Sequence, residues 1–504
     1  MWVIAIIAFI VYWGIVEVLK AKGILEKYNI TAIGPILMIR TQKGLNLLER
    51  VAKPKKFWRT LANAGIPSIF LGMIFMFSLI LFMDYKLITA PPKPSPLTHP
   101  RNVLLIPGIN QFIPVVWGLI GLIVTLVVHE FSHGILCRVE GVKVKAMGVL
   151  LALLPIGGFA EPDEKELMNE EKTNKMQRIR IFSAGVISNF IVAFIAFSLF
   201  FYLLGFISPL VVVAAVKENS PAYGMVEEKD VILKINDVDV KTSDDISKAL
   251  KMNNDKLKIV FTRNGEIKEP ILPKITGVSV MSLYKTDNKI YPAEKAGIKE
   301  EMIIFKINDE LTPTLRDFMK VMQKTKPNEI IKIYTYSNGE IKIFNVTLVN
   351  SPTGSHGFLG VIVDEYVSGI RFAYSDLFLK ELRSLPSQLT NVGGWLFIMA
   401  MPFTFPGFSD EITKYFEGDI TIFYLLNTFY WIGWINFYVG LFNCLPAVPL
   451  DGGRVFQESL SALLIKRFGK RGEELAATTI KLLALTIFSS ILLAILIPNL
   501  QGLR

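Results

Sequence analysis

The chain has 504 residues, is 51% hydrophobic and only 19% charged, and has a mean hydropathy of +0.43. This excludes an ordinary soluble globular protein. The formal net charge of +10 is collected in loops, as in the cytoplasmic loops of a membrane protein, and does not call for a nucleic-acid partner. Two cysteines, Cys137 and Cys444, exclude a disulfide framework and read as small buried residues.

Long apolar runs flank a polar middle from about residue 209 to 369. The chain therefore reads as a polytopic α-helical membrane protein of about six spans with a soluble insertion. Residues 2–18 form the first span. No basic region precedes it and no small-residue cleavage site follows it, so it reads as retained. The next loop carries Lys20, Lys22, Lys27, Arg40, Lys43, Arg50, Lys53, Lys55, Lys56 and Arg59 against Glu26 and Glu49. That excess of positive charge places it in the cytoplasm. Residues 66–83 form the second span, and the proline-rich connector 90–96 belongs outside.

The third span, residues 114–136, contains His129-Glu130-Phe131-Ser132-His133. A helix of that length rises about 33 Å, enough for a bilayer core. His129 and His133 are four apart, so on a helix both imidazoles face one side and can hold one metal ion. Glu130 stands beside them and is free to take a proton from a water that the metal polarises. Each ionisable group in a span costs roughly 2.5–3.5 kcal/mol on insertion scales. Three within five positions need a compensating partner, and a metal ion is the natural one.

Residues 148–160 are apolar but too short to cross, and are broken by Pro155 and by Gly157-Gly158 before Phe159. They read either as a re-entrant hairpin beside the metal, whose edge can pair with an extended substrate, or as an interfacial loop. Lys172, Lys175, Arg178 and Arg180 return the chain to the cytoplasm. The fourth span, 181–206, contains Asn189, which in a span serves most simply as a helix–helix hydrogen bond.

The polar middle is internally duplicated. Lys234-Ile-Asn-Asp237 recurs at Lys306–Asp309, Ser220-Pro-Ala222 at Tyr291–Ala293, and Asn264-Gly-Glu-Ile-Lys268 at Asn338–Lys342, at offsets of 72, 71 and 74 residues. Two similar domains in tandem follow. Each has alternating strands, an Asn-Gly hairpin turn and one short helix, near 243–250 and 315–323. Residues 370–406 are amphipathic and interrupted by Gly393-Gly394, Pro402 and Pro406, as in a segment lying on the outer leaflet. The fifth span, 420–441, runs into Asn443-Cys-Leu-Pro446-Ala-Val-Pro449-Leu-Asp451-Gly452. The sixth is 476–497.

A catalytic zinc takes three protein ligands and one water. The other two histidines, His99 and His356, fall in an outer loop and late in the insertion. The third ligand is then a carboxylate in a span, and Asp451 is the best candidate. As an alternative, Asp451 caps a helix at the interface.

His129-Glu-Phe-Ser-His133 in a span, followed by Asn443-x-x-Pro446-x-x-x-Leu450-Asp451-Gly452, resembles the site-2 protease family of intramembrane zinc metalloproteases. Pro155-x-Gly157-Gly158-Phe159 resembles that family's membrane-embedded β-hairpin. Gly185-x-x-x-Asn189 is similar to its Gly-Pro-x-x-Asn motif, with Val186 in place of proline. The duplicated insertion is similar to tandem PDZ domains, which are α+β. The resemblance runs from about residue 114 to the C-terminus.

It implies one Zn²⁺ per chain held by His129, His133 and Asp451, with Glu130 as general base and acid. Asn443 would hold substrate backbone or the developing oxyanion. Gly157, Gly158 and Phe159 would line the substrate, and Asn189 would support the site. The implied reaction is hydrolysis of a peptide bond within the transmembrane segment of a single-pass membrane protein, after its ectodomain has been trimmed, that is, regulated intramembrane proteolysis. The implied setting is a cell membrane, with the lipid bilayer as partner and no nucleic acid. The PDZ-like pair lies outside the cytoplasm and the zinc nearer the cytoplasmic side. The motifs specify no oligomeric state.

The expected layout is a two-span region 1–113, a first catalytic part 114–208, and PDZ-like domains 209–275 and 276–369. An outer-face segment 370–418 and a second catalytic part 419–504 complete it. Two other classes stay open. One is a receptor or scaffold with a structural metal, which has no use for Glu130. The other is a metal transporter, which calls for more ionisable groups in the spans.

Overall fold

The computed structural model describes residues 2–42, 45–102, 106–152, 154–285, 290–337, 339–352 and 354–501; Asn338, the second expected turn residue, lies outside them. The chain divides into two compact units. One comprises Met1–Leu203, Met399–Gly407 and Tyr424–Arg504, the other Leu204–Ile398 and Phe408–Phe423.

Among the described residues, four helices are long and apolar enough to cross a membrane by length and composition: Lys55–Thr89, Val115–Glu140, Lys175–Phe206 and Arg471–Leu500. Helices also form at Trp2–Ala21 and Ile420–Asn443. The latter carries Asn427, Asn436 and Asn443 among its aromatic residues, which lowers its hydropathy. The helix Val115–Glu140, which bears both histidines, starts after Pro114 and ends at Gly141. Gly141 has φ 87 and donates to the Cys137 and Arg138 carbonyls, a left-handed stop that glycine adopts without a Cβ penalty. Its close neighbour is Ile420–Asn443: a Cβ on Gly121 would lie 2.8 Å from the Trp431 carbonyl oxygen, so only a small residue permits this approach. Leu48, Ile135, Phe182, Val186 and Val455 are buried in one core with Cys137 and Cys444, and both cysteines are free thiols.

The apolar stretch after the histidine helix is a β-hairpin. It belongs to a four-stranded antiparallel sheet in the order β1 (Ile30–Ile33), β2 (Ile36–Thr41), β3 (Val144–Ala152) and β4 (Leu154–Pro162). The basic loop after the first helix thus supplies two strands. β2 pairs with β3 from Leu37 opposite Leu151 to Thr41 opposite Met147. β4 has a strand partner on one side only, among the described residues.

The second unit is built on the duplication. Val231–Ile235 and Ile303–Ile307 are equivalent strands, as are Lys256–Arg263 and Ile330–Ser337. The helices Ser243–Lys251 and Leu315–Lys324 are equivalent too. Thr242 and Thr314 cap them by accepting from the backbone N–H groups of Asp245 and Asp317, the usual way to satisfy a first-turn donor. Asn264 and Gly265 both have positive φ, as a two-residue hairpin turn requires.

Each half buries its own core, Val211, Ile232, Ile235, Leu257 and Phe261 in one and Val278, Ile304, Ile307, Ile331 and Val346 in the other. Every such side chain is worth about 1.5–3 kcal/mol. The hairpin Val361–Val367 and Ile370–Tyr374 joins the halves into one sheet. Val361–Val367 pairs with Thr276–Leu283, and Ile370–Tyr374 reaches back to Val211–Val216. The first five residues of the 370–418 segment are therefore a strand, with Phe372 buried in the first half.

Candidate metal centre

The histidine helix brings His129 and His133 together with their Nε2 atoms 3.2 Å apart. Asp451 arrives from far along the chain as the first residue of the helix Asp451–Phe468. Its Oδ2 lies 3.1 Å from His129 Nε2 and 3.2 Å from His133 Nε2. A carboxylate at a helix N-terminus sits favourably in the helix dipole. The three side chains are only 12–15% exposed. Among the described residues, they are the group of three or more potential ligands whose donor atoms converge. His99 and His356 are not part of it.

This donor set fits zinc. Ligand atoms in a tetrahedral site with bonds of about 2.0–2.1 Å stand about 3.3 Å apart, close to the observed triangle. The far side of the His133 ring agrees. His133 Nδ1 lies 2.7 Å from the Ile181 carbonyl oxygen, so it carries a proton and leaves the Nε2 lone pair facing Asp451. His129 Nδ1 lies 3.1 Å from Asn189 Nδ2; Asn189 is fully buried, and the same amide with its oxygen turned toward the ring would accept from Nδ1–H. The helix Lys175–Leu203 thus backs both rings. It can do so because residue 185 is glycine: a Cβ there would lie 2.5 Å from His133 Nε2 and 2.6 Å from His129 Nε2.

Glu130 is held from the other side by β4, where the Ala160 N–H donates to its Oε2 at 2.9 Å. A Cβ on Gly158 would stand 2.8 Å from Glu130 Cγ, so the second glycine lets the hairpin lie on the histidine helix. Phe159 turns elsewhere, packing over Gly148 with the Arg40 guanidinium 5.9 Å from its ring centre. Gly157 pairs with Leu150 in the hairpin. Asn443 ends the helix Ile420–Asn443 and donates to the Val439 carbonyl at 3.0 Å. The Ile181 carbonyl and the Ala160 N–H are parts of the site that side-chain patterns do not announce.

Residues 117–487 match peptidase family M50, and the chain belongs to that family. It is a multi-pass membrane protein of the site-2 protease type, a metalloprotease. It is 29% identical over 303 residues to an uncharacterized protein of Methanocaldococcus jannaschii, covering 56% of this chain and 78% of the relative. A candidate zinc metalloprotease of Clostridium perfringens is 26% identical over 352 residues, 67% of this chain and 80% of the relative. One of Clostridium acetobutylicum is 27% identical over 206 residues, 36% of this chain and 57% of the relative.

Proposed function

We propose that the protein is an intramembrane zinc metalloprotease that hydrolyses peptide bonds within the transmembrane segments of single-pass membrane proteins. The observation that carries this reading is the triangle of His129, His133 and Asp451 beside Glu130, on a helix apolar enough to cross a membrane. His129, His133 and Asp451 hold the zinc. Bound there, zinc supplies Lewis-acid polarisation of the scissile carbonyl and of the attacking water. Glu130 takes the proton of that water and returns it to the leaving amine. The Ala160 N–H orients the Glu130 carboxylate, and the carbonyl of Ile181 and the amide of Asn189 fix the ring tautomers.

Substrate enters as an extended strand. β4 is an edge strand, and its Ala160 N–H points away from β3 to Glu130. A peptide added along that edge brings its carbonyls beside the base. In this reading the hairpin lies at membrane depth, six helices cross the bilayer, and Arg178 and Arg180 mark the cytoplasmic side nearer the metal. Asn443 holds substrate backbone. The duplicated unit is a PDZ-like pair outside the cytoplasm that admits substrates already trimmed. Purified protein incubated with short single-pass reporter substrates tests this: cleavage appears with zinc and stops with a chelator. Cleavage unaffected by zinc removal contradicts it.

A further inference from the structure

Asp451 and the two histidines belong to helices far apart in sequence, yet zinc tolerates an error of only about 0.5 Å in ligand position. Asp451 opens its helix, so no preceding helical turn holds it. The anchor lies farther along. Seven residues after Asp451, on the same face and about 10 Å away, Glu458 accepts from Arg178 Nη2 at 3.0 Å. Arg178 is buried, at 4% side-chain exposure, and Glu458 is mostly buried, at 12%. Arg178 also donates to the Thr173 carbonyl at 2.9 Å and has the exposed Glu170 3.8 Å away.

The histidine helix has the same construction. Seven residues after His133, Glu140 has no exposed side-chain surface. It accepts from Arg180 at 3.2 Å, Gln177 at 3.0 Å, and Arg59 at 3.1 and 3.0 Å. Gln177, Arg178 and Arg180 form one turn of the helix Lys175–Leu203. The same helix contacts both histidine rings through Ile181, Gly185 and Asn189. One turn therefore grips both ligand-bearing helices at matching distances from their ligands. Buried ion pairs of this kind add little net stability over apolar packing but can specify register.

We propose that residues 177–180 are the positioning element of the metal centre: they set the axial register of the histidine helix against the Asp451 helix, Glu140 and Glu458 being the points held. None of these groups touches the metal or the reacting atoms. The inference rests on the zinc reading, and its test separates the two.

The test uses the full chain in detergent and measures zinc affinity by chelator competition, with melting temperature as the fold control. The variants are Glu458→Gln and the double replacement Arg178→Met with Glu458→Met, which removes the pair without leaving an unpaired buried charge. The expected result is a zinc dissociation constant raised about tenfold in the double variant, at near wild-type melting temperature. Glu458→Gln weakens zinc at least as much. A folded double variant whose zinc affinity stays within about twofold of wild type overturns the inference, and so does a double variant that fails to fold, because the pair then serves stability. A wild-type protein that binds no zinc overturns the metal-centre reading instead.

Discussion

Asn189 and His129 meet in the interior, with Asn189 Nδ2 3.1 Å from the ring Nδ1; amide oxygen and nitrogen exchange places by a half-turn. Turned with its oxygen toward the ring, the amide accepts from Nδ1–H and gives the buried Asn189 Oδ1 the partner it otherwise lacks among the described residues. The His129 Nε2 lone pair then faces Asp451. An asparagine that reads in the sequence as helix–helix glue is thus placed to fix a tautomer. Asn189→Leu removes the acceptor and is expected to weaken zinc binding about 10–100-fold. Asn189→Asp keeps it and is expected to lose much less. Zinc titration of the two purified variants checks this; equal affinities contradict it.

Gly185 makes a steric prediction. A methyl group at this position points between the two histidine rings, at 2.5–2.6 Å from their nitrogens, with the Lys175–Leu203 backbone behind it. Gly185→Ala is expected to abolish stoichiometric zinc binding while helical content is retained, since alanine is the better helix former by about 1 kcal/mol. Elemental analysis beside circular dichroism checks it. Full zinc content in the variant would show that the helix can retreat.

The second unit carries a pH-dependent group. Glu365 on Val361–Val367 is 7% exposed and accepts from the Tyr374 hydroxyl at 2.6 Å and the Leu315 N–H at 3.0 Å. Burial pushes its carboxyl up from 4.5 to about 7 against the pull of these bonds. The folded chain therefore keeps a proton that the unfolded chain has lost. The stability this confers is complete below 4.5 and is lost as the pH rises through about 7. The loss is expected to reach about 3 kcal/mol. Glu365→Gln flattens the profile. Thermal unfolding of the full chain at pH 4.5–8 checks it; identical slopes for wild type and variant contradict it.

Much of the site is legible in the sequence because its residues are expensive where they stand. His129, Glu130 and His133 interrupt an apolar run, and the scarcity of histidines directs attention to Asp451. The duplication is legible because Lys-Ile-Asn-Asp recurs as a unit. β1 and β2 are not, because Ile30–Ile33 and Ile36–Thr41 are short runs without clear alternation inside a loop dominated by its positive charge. The Ile181 carbonyl and the Ala160 N–H are backbone groups that any residue type supplies. Ile370–Tyr374 alternates as a strand should, but its partner lies more than 150 residues upstream, beyond the reach of local pattern.

That strand bears on how the filter role proposed for the duplicated unit is tested. Replacing residues 211–364 alone leaves Ile370–Tyr374 without Val211–Val216, exposing Phe372 and an unpaired edge. The replacement by a flexible linker has to run from 210 through 374. Such a variant is expected to cleave short, pre-trimmed substrates at near wild-type rate and to lose selectivity against large ectodomains. If the folded, zinc-loaded variant cleaves neither, the unit delivers substrate and is not a filter.

Glu130 is proposed above as the base of a zinc peptidase. Glu130→Gln keeps the shape and can still receive the Ala160 N–H, but the amide cannot take a proton from water. The direct measurement is cleavage of a short single-pass reporter by the purified variant, with zinc content determined on the same sample. Full zinc occupancy and a rate lowered by at least about 100-fold are expected. A zinc-loaded variant that cleaves at near wild-type rate contradicts the proposal.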